Sequence, residues 1–405
     1  MVCKIEQPQE LIPVVIVTMG TEACEKQINQ LKKNQALFIV LVLNGCSQKI
    51  VQHFQTLVGS SGICIGLTRN EGGSGGFRTG MQYVLNHYKD SCPVWLLDDD
   101  AEINDNTLSE LLKAAADLNA QKINWGALGS MIISQESPNQ VVEVGAWVNL
   151  KNGGFILNFH GEKIENVPKV PLQVQYCAAA SLLTQVNVIR KVGIFADIFI
   201  HYDDVEWCLR LAHAGFSVYG IPSSMIRHPT NIQKPATWIR YYDAANCVWL
   251  FKKYFPDQLQ SIIFRQKLKC YYFHLHGFHK TAKLYEMGIR DGLAGHKRKY
   301  RDELNFEDYT NVFSWKSDDP KLFITSEYQH IKIFQERFGQ NSRVIRLPYF
   351  FPFRIVMGLY AKIYTIFHPH RVIILDDYFR NKFYLPLLCK KIKVYNVILN
   401  KEVQK

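Results

Sequence analysis

The chain has 405 residues, enough for two to three domains with full hydrophobic cores, and this length excludes a mini-protein held together by disulfides alone. Its composition, 47% hydrophobic and 20% charged residues, excludes a disordered or collagen-like chain. The net charge is +11, but residues 1–255 hold 21 basic and 22 acidic side chains, whereas residues 256–405 hold 26 and 14. The basic excess therefore lies in the C-terminal part.

The N-terminal residues and the cysteines indicate the cellular compartment of the protein. Residues 1–10 are polar, and the first apolar run, residues 11–17, has only the length of a strand, so we predict no signal peptide and a cytoplasmic protein. The 10 cysteines include no Cys-x-x-Cys pair, which disfavours a zinc site or a disulfide framework.

Four short apolar runs in the first hundred residues alternate with helical patterns, which predicts an α/β fold with a parallel sheet. The runs are residues 11–19, 36–43, 63–68 and 93–97. In open α/β sheets ligands bind outside the carboxyl ends of the strands. We therefore expect Thr18, Asn44, Asn70 and Asp98 to converge on one crevice with the geometry of a nucleotide site.

The pattern changes after the first hundred residues. Scattered strands at 127–134, 141–150 and 174–183 predict a less regular half that binds a second substrate, and long helical patterns follow at 238–254 and 258–284. Strand-like runs at 372–375 and 394–399 indicate an incomplete α/β unit. We predict a catalytic domain over residues 1–235, a basic helical region over 236–315 and a small accessory α/β region over 316–405.

Residues 98–100 are three consecutive aspartates at the end of an apolar run. Adjacent carboxylates repel one another, and a cation would compensate for that repulsion. Alternation along an extended chain places Asp98 and Asp100 on one side and Asp99 on the other. One Mg²⁺ or Mn²⁺ could bind the first and third and keep coordination positions for diphosphate oxygens. The alternative is an acidic turn on the surface.

A glycine-rich segment, residues 70–80, follows the third strand and precedes a helical pattern at 81–87. Glycines let the backbone approach a ligand closely, and a helix start offers N–H groups to an anion. The candidate phosphate-binding residues are Gly72, Gly73, Gly75, Gly76 and Arg78. The segment is neither a Walker loop nor a dinucleotide-binding fingerprint, since no Gly-Lys-Ser/Thr follows and it does not come after the first strand.

Two further sets of polar residues are candidates for the site, an aspartate pair and a histidine. Asp203 and Asp204 open a helical pattern at 205–214, where acidic residues stabilise a helix start and a capping role is one alternative. The other is that one carboxylate orients an acceptor hydroxyl while its neighbour removes the proton. His228 follows an extended run at 217–221 and could complete the metal shell through a neutral imidazole, or be structural.

Taken in order, these motifs resemble the inverting glycosyltransferases of family 2, which have the GT-A fold, and most of all the rhamnosyltransferase and galactofuranosyltransferase branch. The resemblance covers roughly residues 11–295. It includes residues 241–246, Tyr-Tyr-Asp-Ala-Ala-Asn, similar to the family's Tyr-Tyr-x-x-Arg-Asn helix with Ala245 in place of the arginine.

The resemblance implies a role for each position. Asp98, Asp100 and His228 would hold Mn²⁺ or Mg²⁺ on the diphosphate of the donor, Asp204 would be the general base, and Asp203 would bind the acceptor. Residues 72–78 would line the diphosphate side. The other substrate contacts would come from Thr18, Asn44, Asn70 and Asp99 on the donor side and from His201 and Trp207 as walls of the acceptor site.

The implied reaction moves a sugar, with galactofuranose or rhamnose favoured, from a nucleotide-diphosphate donor to a saccharide or lipid-linked oligosaccharide in bacterial surface-polysaccharide synthesis. A sugar nucleotidyltransferase is one alternative, but it would need its glycines and a basic residue after the first strand, where residues 19–22 are Met-Gly-Thr-Glu. A non-catalytic nucleotide-sugar-binding module is the other, although loss of chemistry would be expected to erode Asp98, Asp100 or Asp204.

The basic C-terminal part carries a cluster of aromatic residues between positions 349 and 367. Basic residues interleaved with aromatic ones favour an anionic membrane surface over nucleic acid as a partner. We therefore expect no nucleic acid partner and peripheral contact with the inner face of the cell membrane. The alternative is a buried helix with solvated lysines. The sequence leaves the oligomeric state open.

Overall fold

The computed structural model describes residues 11–229, 238–275 and 279–295, and shorter segments at 321–325, 335, 343–346, 372–375 and 393–396. The chain divides into two compact units. The first comprises Met1–Asn231, Asn246–Ile262 and Asp291–Tyr300, and the second Ile232–Ala245, Ile263–Arg290 and Arg301–Lys405. The predicted boundaries after residues 235 and 315 stay predictions.

The first unit begins with a parallel sheet whose strands alternate with helices, as predicted. The strands are β1 (Ile12–Thr18), β2 (Leu37–Asn44), β3 (Gly62–Leu67) and β4 (Pro93–Asp98). The helices are α1 (Glu22–Leu31), α2 (Gln48–Val58) and α3 (Gly72–His87). β1 pairs in parallel with β2 and β4, and β2 with β3. Every residue of β2 is buried, as expected for a strand covered by helices on both faces.

The remaining strands make a mixed half. They are β5 (Glu102–Ile103), β6 (Trp125–Ser134), β7 (Val141–Glu143), β8 (Ala146–Val148), β9 (Phe155–Leu157), β10 (Leu172–Val174), β11 (Ser181–Gln185) and β12 (Ser217–His228). The helices of this half are α4 (Thr107–Ala120), α5 (Val186–Val192) and α6 (Asp203–His213). The main sheet runs β10-β12-β6-β11-β4-β1-β2-β3, with β11 antiparallel to β4 and to β6. This mixed α/β sheet, mostly parallel in its N-terminal half, confirms the expected fold class.

Buried hydroxyl groups join the strands that carry the candidate site. Trp95 Nε1 on β4 donates to Ser181 Oγ on β11 at 3.0 Å, and Ser181 Oγ lies 2.7 Å from Ser130 Oγ on β6. Ser130 Oγ lies 2.8 Å from Ser224 Oγ on β12. Each hydroxyl thus has a partner although it is shielded from water, which avoids the penalty of an unsatisfied buried polar group. The chain of bonds fixes β4, β11, β6 and β12 against one another.

Two strand predictions need correction. The run at 141–150 is broken at Gly145, which has φ +64°, into β7 and β8. The run at 174–183 is a strand only at its two ends, β10 and β11, and residues 177–180 between them turn toward the candidate site. A continuous apolar run reports burial and does not by itself distinguish strand pairing from a buried connection.

Three helices follow, α7 (Ile239–Tyr254), α8 (Leu259–Leu275) and α9 (His279–Ala294). The single helical pattern predicted at 258–284 is therefore two helices, and Gly277, a poor helix former, lies between them in the sequence. Among the helices that the structure describes, none is both long and apolar enough to cross a bilayer.

The second unit contains a separate four-stranded parallel sheet. Its strands are β13 (Lys321–Thr325), β14 (Arg343–Arg346), β15 (Val372–Leu375) and β16 (Lys393–Asn396), in the order β14-β13-β15-β16. Two of them, β15 and β16, fall on the strand-like runs predicted at 372–375 and 394–399. The aromatic cluster between positions 349 and 367 lies outside the described residues, so the membrane prediction stays a prediction.

Candidate active site

Strand ends bring the three predicted metal residues together. Asp98 is the last residue of β4 and His228 the last residue of β12. The short strand β5 pairs with the end of β12, with Glu102 opposite Arg227. This antiparallel register turns the chain back after Asp98 and places Asp100 beside His228.

The three side chains form a compact group with oxygen, oxygen and nitrogen donors. His228 Nε2 lies 3.0 Å from Asp100 Oδ1 and 3.6 Å from Asp98 Oδ2. One ligand atom from each residue lies within 4.8 Å of the others. Two carboxylates and an imidazole suit a divalent cation such as Mn²⁺ or Mg²⁺, and all three side chains keep partial exposure toward solvent. The donor set and its spacing therefore fit the expected metal ion.

In the absence of a cation, the neighbouring carboxylates favour the protonated form of His228. Burial acts to lower its pKa, but the hydrogen bonds and charges of Asp100 and Asp98 outweigh burial and raise the pKa to about 10. The imidazolium is then the internal counter-ion of the two carboxylates. Because a metal ligand must be a neutral imidazole, a cation that binds here displaces the proton of His228.

Asp99 faces away from the other two aspartates, as the alternation predicts. Its Oδ2 accepts hydrogen bonds from Thr18 Oγ1 at 2.6 Å and from Thr21 Oγ1 at 2.8 Å. Burial raises the pKa of Asp99, although the two hydroxyl donors oppose that shift. The contacts tie the end of β1 to the end of β4. The sequence analysis did not predict a role for Thr21. Asp99 and Thr18 are hydrogen-bonded to each other, and their contact with a substrate stays a prediction.

Asn44 makes hydrogen bonds within the protein, and its contact with a nucleotide stays a prediction. Asn44 is buried, its Nδ2 donates to Asn70 Oδ1 at 3.1 Å and to the Gly72 carbonyl at 3.0 Å, and its Oδ1 accepts from Glu71 N at 2.9 Å. The amide is thus engaged with the turn between β3 and α3. Asn44 positions this turn, and Asn70 is the residue of the pair that keeps partial exposure.

The glycine-rich segment is not a loop. α3 begins at Gly72, so the glycines form its first turns. A Cβ on Gly72, which has φ +74°, would lie 2.0 Å from the carbonyl oxygen of Phe199, and one on Gly76 would lie 2.2 Å from Val17 Cγ1. Close packing of helix on strand therefore explains Gly76, and the low helix propensity of glycine is overridden by that contact.

The other members of the segment have different surroundings. A Cβ on Gly75 would meet Glu71 Cβ at 2.5 Å, whereas Gly73 has open space around its Cα. Arg78, the predicted phosphate ligand, donates from Nη1 to the Phe195 carbonyl at 2.7 Å. This bond holds the guanidinium against the protein backbone. A role for the start of α3 on the diphosphate side stays a prediction, with Gly73 the glycine best placed for it.

Asp203 and Asp204 are the first two residues of α6. Asp204 Oδ2 accepts a hydrogen bond from Ala179 N at 3.2 Å, and its Oδ1 accepts from Val205 N at 2.7 Å. The N-cap of the helix is Tyr202, whose side chain makes no capping bond. Burial raises the pKa of both aspartates, and the charge of Asp204 raises that of Asp203 further. A carboxylate with a raised pKa is the more effective base near neutral pH.

The two predicted walls of the acceptor site differ. His201 lies close enough for its charge to lower the pKa of both aspartates, against the effect of burial. Trp207 is 0% exposed, donates from Nε1 to the Gly193 carbonyl at 2.7 Å and packs on Phe195. One turn into α6 the helix is thus already part of the hydrophobic core, and the role of Trp207 as an acceptor wall stays a prediction.

Glu143 is a third acidic group of the site that the sequence analysis missed. It lies on β7 opposite Ile132 and is 7% exposed. Burial and the charge of Asp204 raise its pKa to about 7, against a hydrogen bond from Ala178 N and the charge of His228. The available signal was a single carboxylate within a run of valines at 141–144. Such a residue is rarely buried without a partner.

Residues 178–180 connect the separate acidic groups. Ala178 N donates to Glu143, Ala179 N donates to Asp204, and the Ala180 carbonyl accepts from Asp98 N at 3.2 Å. Three successive residues therefore hold β7, α6 and β4 in one arrangement. The result is a group that can bind a cation beside a partly buried carboxylate, Asp204, that can accept a proton.

No protein-family model matches the chain. The chain is similar to the dTDP-rhamnosyl transferase RfbF of Shigella flexneri, with 25% identity over 265 residues, which is 62% of this chain and 83% of that protein. The similarity agrees with the expected enzyme class, a glycosyltransferase, while membership of family 2 stays a prediction.

A crystal structure of GalNAc-T7 with UDP, GalNAc and Mn²⁺ is also similar, with a TM-score of 0.48 and 12% sequence identity. The match covers 76% of this chain, and this chain spans 60% of that one.

Proposed function

We propose that the chain is an inverting, metal-dependent glycosyltransferase that uses a nucleotide-diphosphate sugar as donor and a hydroxyl of a saccharide or lipid-linked oligosaccharide as acceptor. One observation carries the proposal: two adjacent residues link the Asp98, Asp100 and His228 group to Asp204, since Asp98 N donates to the Ala180 carbonyl at 3.2 Å and Ala179 N donates to Asp204 Oδ2 at 3.2 Å. A cation site for a diphosphate and a proton acceptor for a hydroxyl are the two requirements of sugar transfer from such a donor.

The chain's own residues divide the work. Asp204 accepts the proton of the acceptor hydroxyl while its oxygen attacks the anomeric carbon, the bond from that carbon to the diphosphate breaks, and the configuration inverts. Ala179 N keeps the carboxylate of Asp204 in place, and Asp203 orients the acceptor. A divalent cation on Asp98, Asp100 and His228 would supply charge neutralisation for the departing diphosphate.

The first donor to test is dTDP-rhamnose. It follows from the name of RfbF, a dTDP-rhamnosyl transferase. A nucleotide-linked galactofuranose is the second, on the sequence resemblance alone. Surface-polysaccharide synthesis is the setting in which we place either reaction.

A donor panel tests the proposal. Thermal shift with Mn²⁺ or Mg²⁺ selects the donors that bind, and incubation with acceptor saccharides followed by NMR of the product reports transfer and anomeric configuration. We expect transfer with inversion that a chelator abolishes. Release of pyrophosphate from a nucleoside triphosphate and a sugar 1-phosphate would instead identify a nucleotidyltransferase, and donor binding without transfer or hydrolysis would identify a binding module.

The basic C-terminal part supports a second element of the proposal, peripheral attachment to an anionic membrane. Residues 256–405 hold 26 basic and 14 acidic side chains, and such an excess attracts anionic lipid headgroups. Flotation of the full chain with phosphatidylglycerol vesicles and with phosphatidylcholine vesicles tests it. We expect binding to the anionic vesicles that weakens with salt, and equal behaviour with both would contradict the attachment.

A further inference from the structure

The backbone just before Asp203 adopts conformations that side-chain-bearing residues avoid. Phe199, His201 and Tyr202 have φ of +71°, +62° and +67°. In the described part of the chain five non-glycine residues have positive φ, and three of the five lie within residues 199–202. In this region Cβ crowds the backbone, so the conformation persists only where surrounding contacts impose it. Because Tyr202 is the N-cap of α6, the loop at 198–202 determines where Asp203 and Asp204 lie.

A buried side-chain amide holds this loop. Asn246 is 5% exposed, and its Nδ2 lies 2.8 Å from the Ile200 carbonyl, 3.0 Å from the His201 carbonyl and 3.3 Å from the Ile198 carbonyl. One amide nitrogen with two N–H bonds thus serves three carbonyl groups of the strained segment. Its geometry requires a neutral donor, since a carboxylate of the same shape would face three carbonyl oxygens without a hydrogen to give.

The opposite side of the loop is held by α3. Ser74 N donates to the Phe199 carbonyl at 3.0 Å, and Ser74 Oγ donates to the Ala196 carbonyl. Asn246 and Ser74 therefore bind different carbonyl groups of one short stretch, residues 196–201. Ser74 belongs to the glycine-rich helix start on the predicted diphosphate side, whereas the contacts of Asn246 end at the residue that precedes the N-cap of α6.

We infer that Asn246 is a positioning residue for the proton-accepting carboxylate: it holds Phe199, His201 and Tyr202 in their left-handed backbone conformations and so fixes Asp203 and Asp204 at the acceptor side. Asn246 touches no reacting atom and acts through the loop. The inference deepens the proposed function and rests on it for the role of Asp204. It also gives a structural reason for the asparagine of the motif at 241–246.

The test compares Asn246→Ala and Asn246→Asp with the wild-type chain. Both remove the N–H donors, and the second keeps the shape of the side chain. We expect kcat for transfer to fall by about 100-fold, since a misplacement of about 1 Å in a catalytic group has an effect of that size. The Kd of the nucleotide-sugar with Mn²⁺ should stay within about threefold, because Asp98, Asp100 and His228 are held by strand pairing and not by the loop.

The matched control is Leu250→Ala, a buried core position on the same helix α7. It should lower Tm through a cavity and leave kcat near the wild-type value at temperatures well below Tm. If Asn246→Ala behaves like Leu250→Ala, with a lower Tm and an unchanged kcat, Asn246 is only structural and the inference is overturned.

Hydrogen exchange separates failure of the inference from failure of the proposed function. Amide protection over residues 198–206 should fall in Asn246→Ala and be retained in Leu250→Ala, and this result does not depend on transfer activity. A wild-type chain that transfers no sugar would contradict the proposed function alone. Unchanged protection over 198–206 in Asn246→Ala would overturn the inference even in an active enzyme.

Discussion

The two halves of the candidate site are held in different ways. Asp98 and His228 end strands whose register is set by backbone pairing, and Asp100 follows from the pairing of β5 with β12. Asp204 instead lies at the start of a helix that follows a strained loop: Ala179 N donates to its carboxylate, and Asn246 donates to carbonyl groups of the loop. The cation side is therefore a product of sheet register, whereas the proton-accepting side is a product of tertiary contacts. Substitutions on the first side should act on binding and those on the second on rate.

The largest effect expected on the proton-accepting side is that of Asp204→Asn. The amide cannot take the proton of the acceptor hydroxyl, so we predict a loss of about 10³-fold or more in kcat. The Kd of the donor with Mn²⁺ should be nearly unchanged, because the cation-binding residues are intact. Steady-state kinetics and calorimetric titration of the donor measure the two quantities.

Asp203→Asn is the matched control, the same change one residue earlier. If Asp203 orients the acceptor and Asp204 is the base, Asp203→Asn should raise KM for the acceptor and lower kcat less than Asp204→Asn does. An Asp204→Asn enzyme with near-normal turnover would remove Asp204 as the base, and a greater loss of kcat at Asp203 would exchange the two roles.

On the cation side, Asp100→Ala should weaken Mn²⁺ and the metal-dependent binding of donor by about 10- to 100-fold and lower the transfer rate with them. Glu102→Gln is the control, because Glu102 is exposed, lies two residues further along and loses the same charge. Titration of Mn²⁺ into both variants measures the difference. Equal affinities in Asp100→Ala and Glu102→Gln would show that the cation does not use Asp100.

The same contrast explains what the sequence could predict. Asp98, Asp100 and His228 were predicted because their residue types and strand-end placement are both local features. The parallel order of β1 to β4 was predictable for the same reason, since apolar runs and turn residues alternate along the chain. Neither the metal-binding residues nor the strand order requires knowledge of contacts between distant parts of the chain.

Features that depend on distant contacts were not predictable from the sequence. The segment at 70–80 was placed before a helical pattern at 81–87, but α3 begins at Gly72, and Val17 on β1 leaves room only for a glycine at position 76. Glu143 could not be placed, because its approach to Asp204 and His228 requires β7 to pair with β6 and residues 178–180 to turn inward. The full burial of Trp207 was not predicted either, because the sequence does not identify which face of the helix at 205–214 packs inward.

Glu143 is expected to affect the free energy of unfolding and not the transfer rate. Burial and Asp204 raise its pKa from 4.5 to about 7, so the folded chain binds the proton of Glu143 at pH values where the unfolded chain has lost it. The contribution of Glu143 to the free energy of unfolding is fully present below pH 4.5 and is lost as the pH rises through 7. The loss amounts to roughly 3 kcal/mol at most.

Glu143→Gln should therefore stabilise the cation-free chain at pH 8 and change little near pH 4.5, because the neutral amide can still accept from Ala178 N. Urea unfolding at the two pH values measures the difference, with the exposed Glu102→Gln as control. Equal unfolding midpoints for Glu143→Gln and the wild type at pH 8 would contradict a buried, strained carboxylate at this position.

The last prediction concerns the pH dependence of the cation site itself. Because Asp100 and Asp98 raise the pKa of His228 to about 10, a metal ion that binds between pH 6 and 9 must displace one proton. The apparent Kd of Mn²⁺ should fall about tenfold for each unit of rising pH in this range, a change of about 1.4 kcal/mol per unit. Calorimetry in buffers of different ionisation enthalpy should count one released proton.

The control variant is His228→Asn. It should bind the ion more weakly, but it has no imidazolium to deprotonate, so its affinity should lose this pH dependence. A wild-type affinity that is constant from pH 6 to 9 would mean that the cation leaves the imidazolium in place, and the site would then consist of the two aspartates without His228.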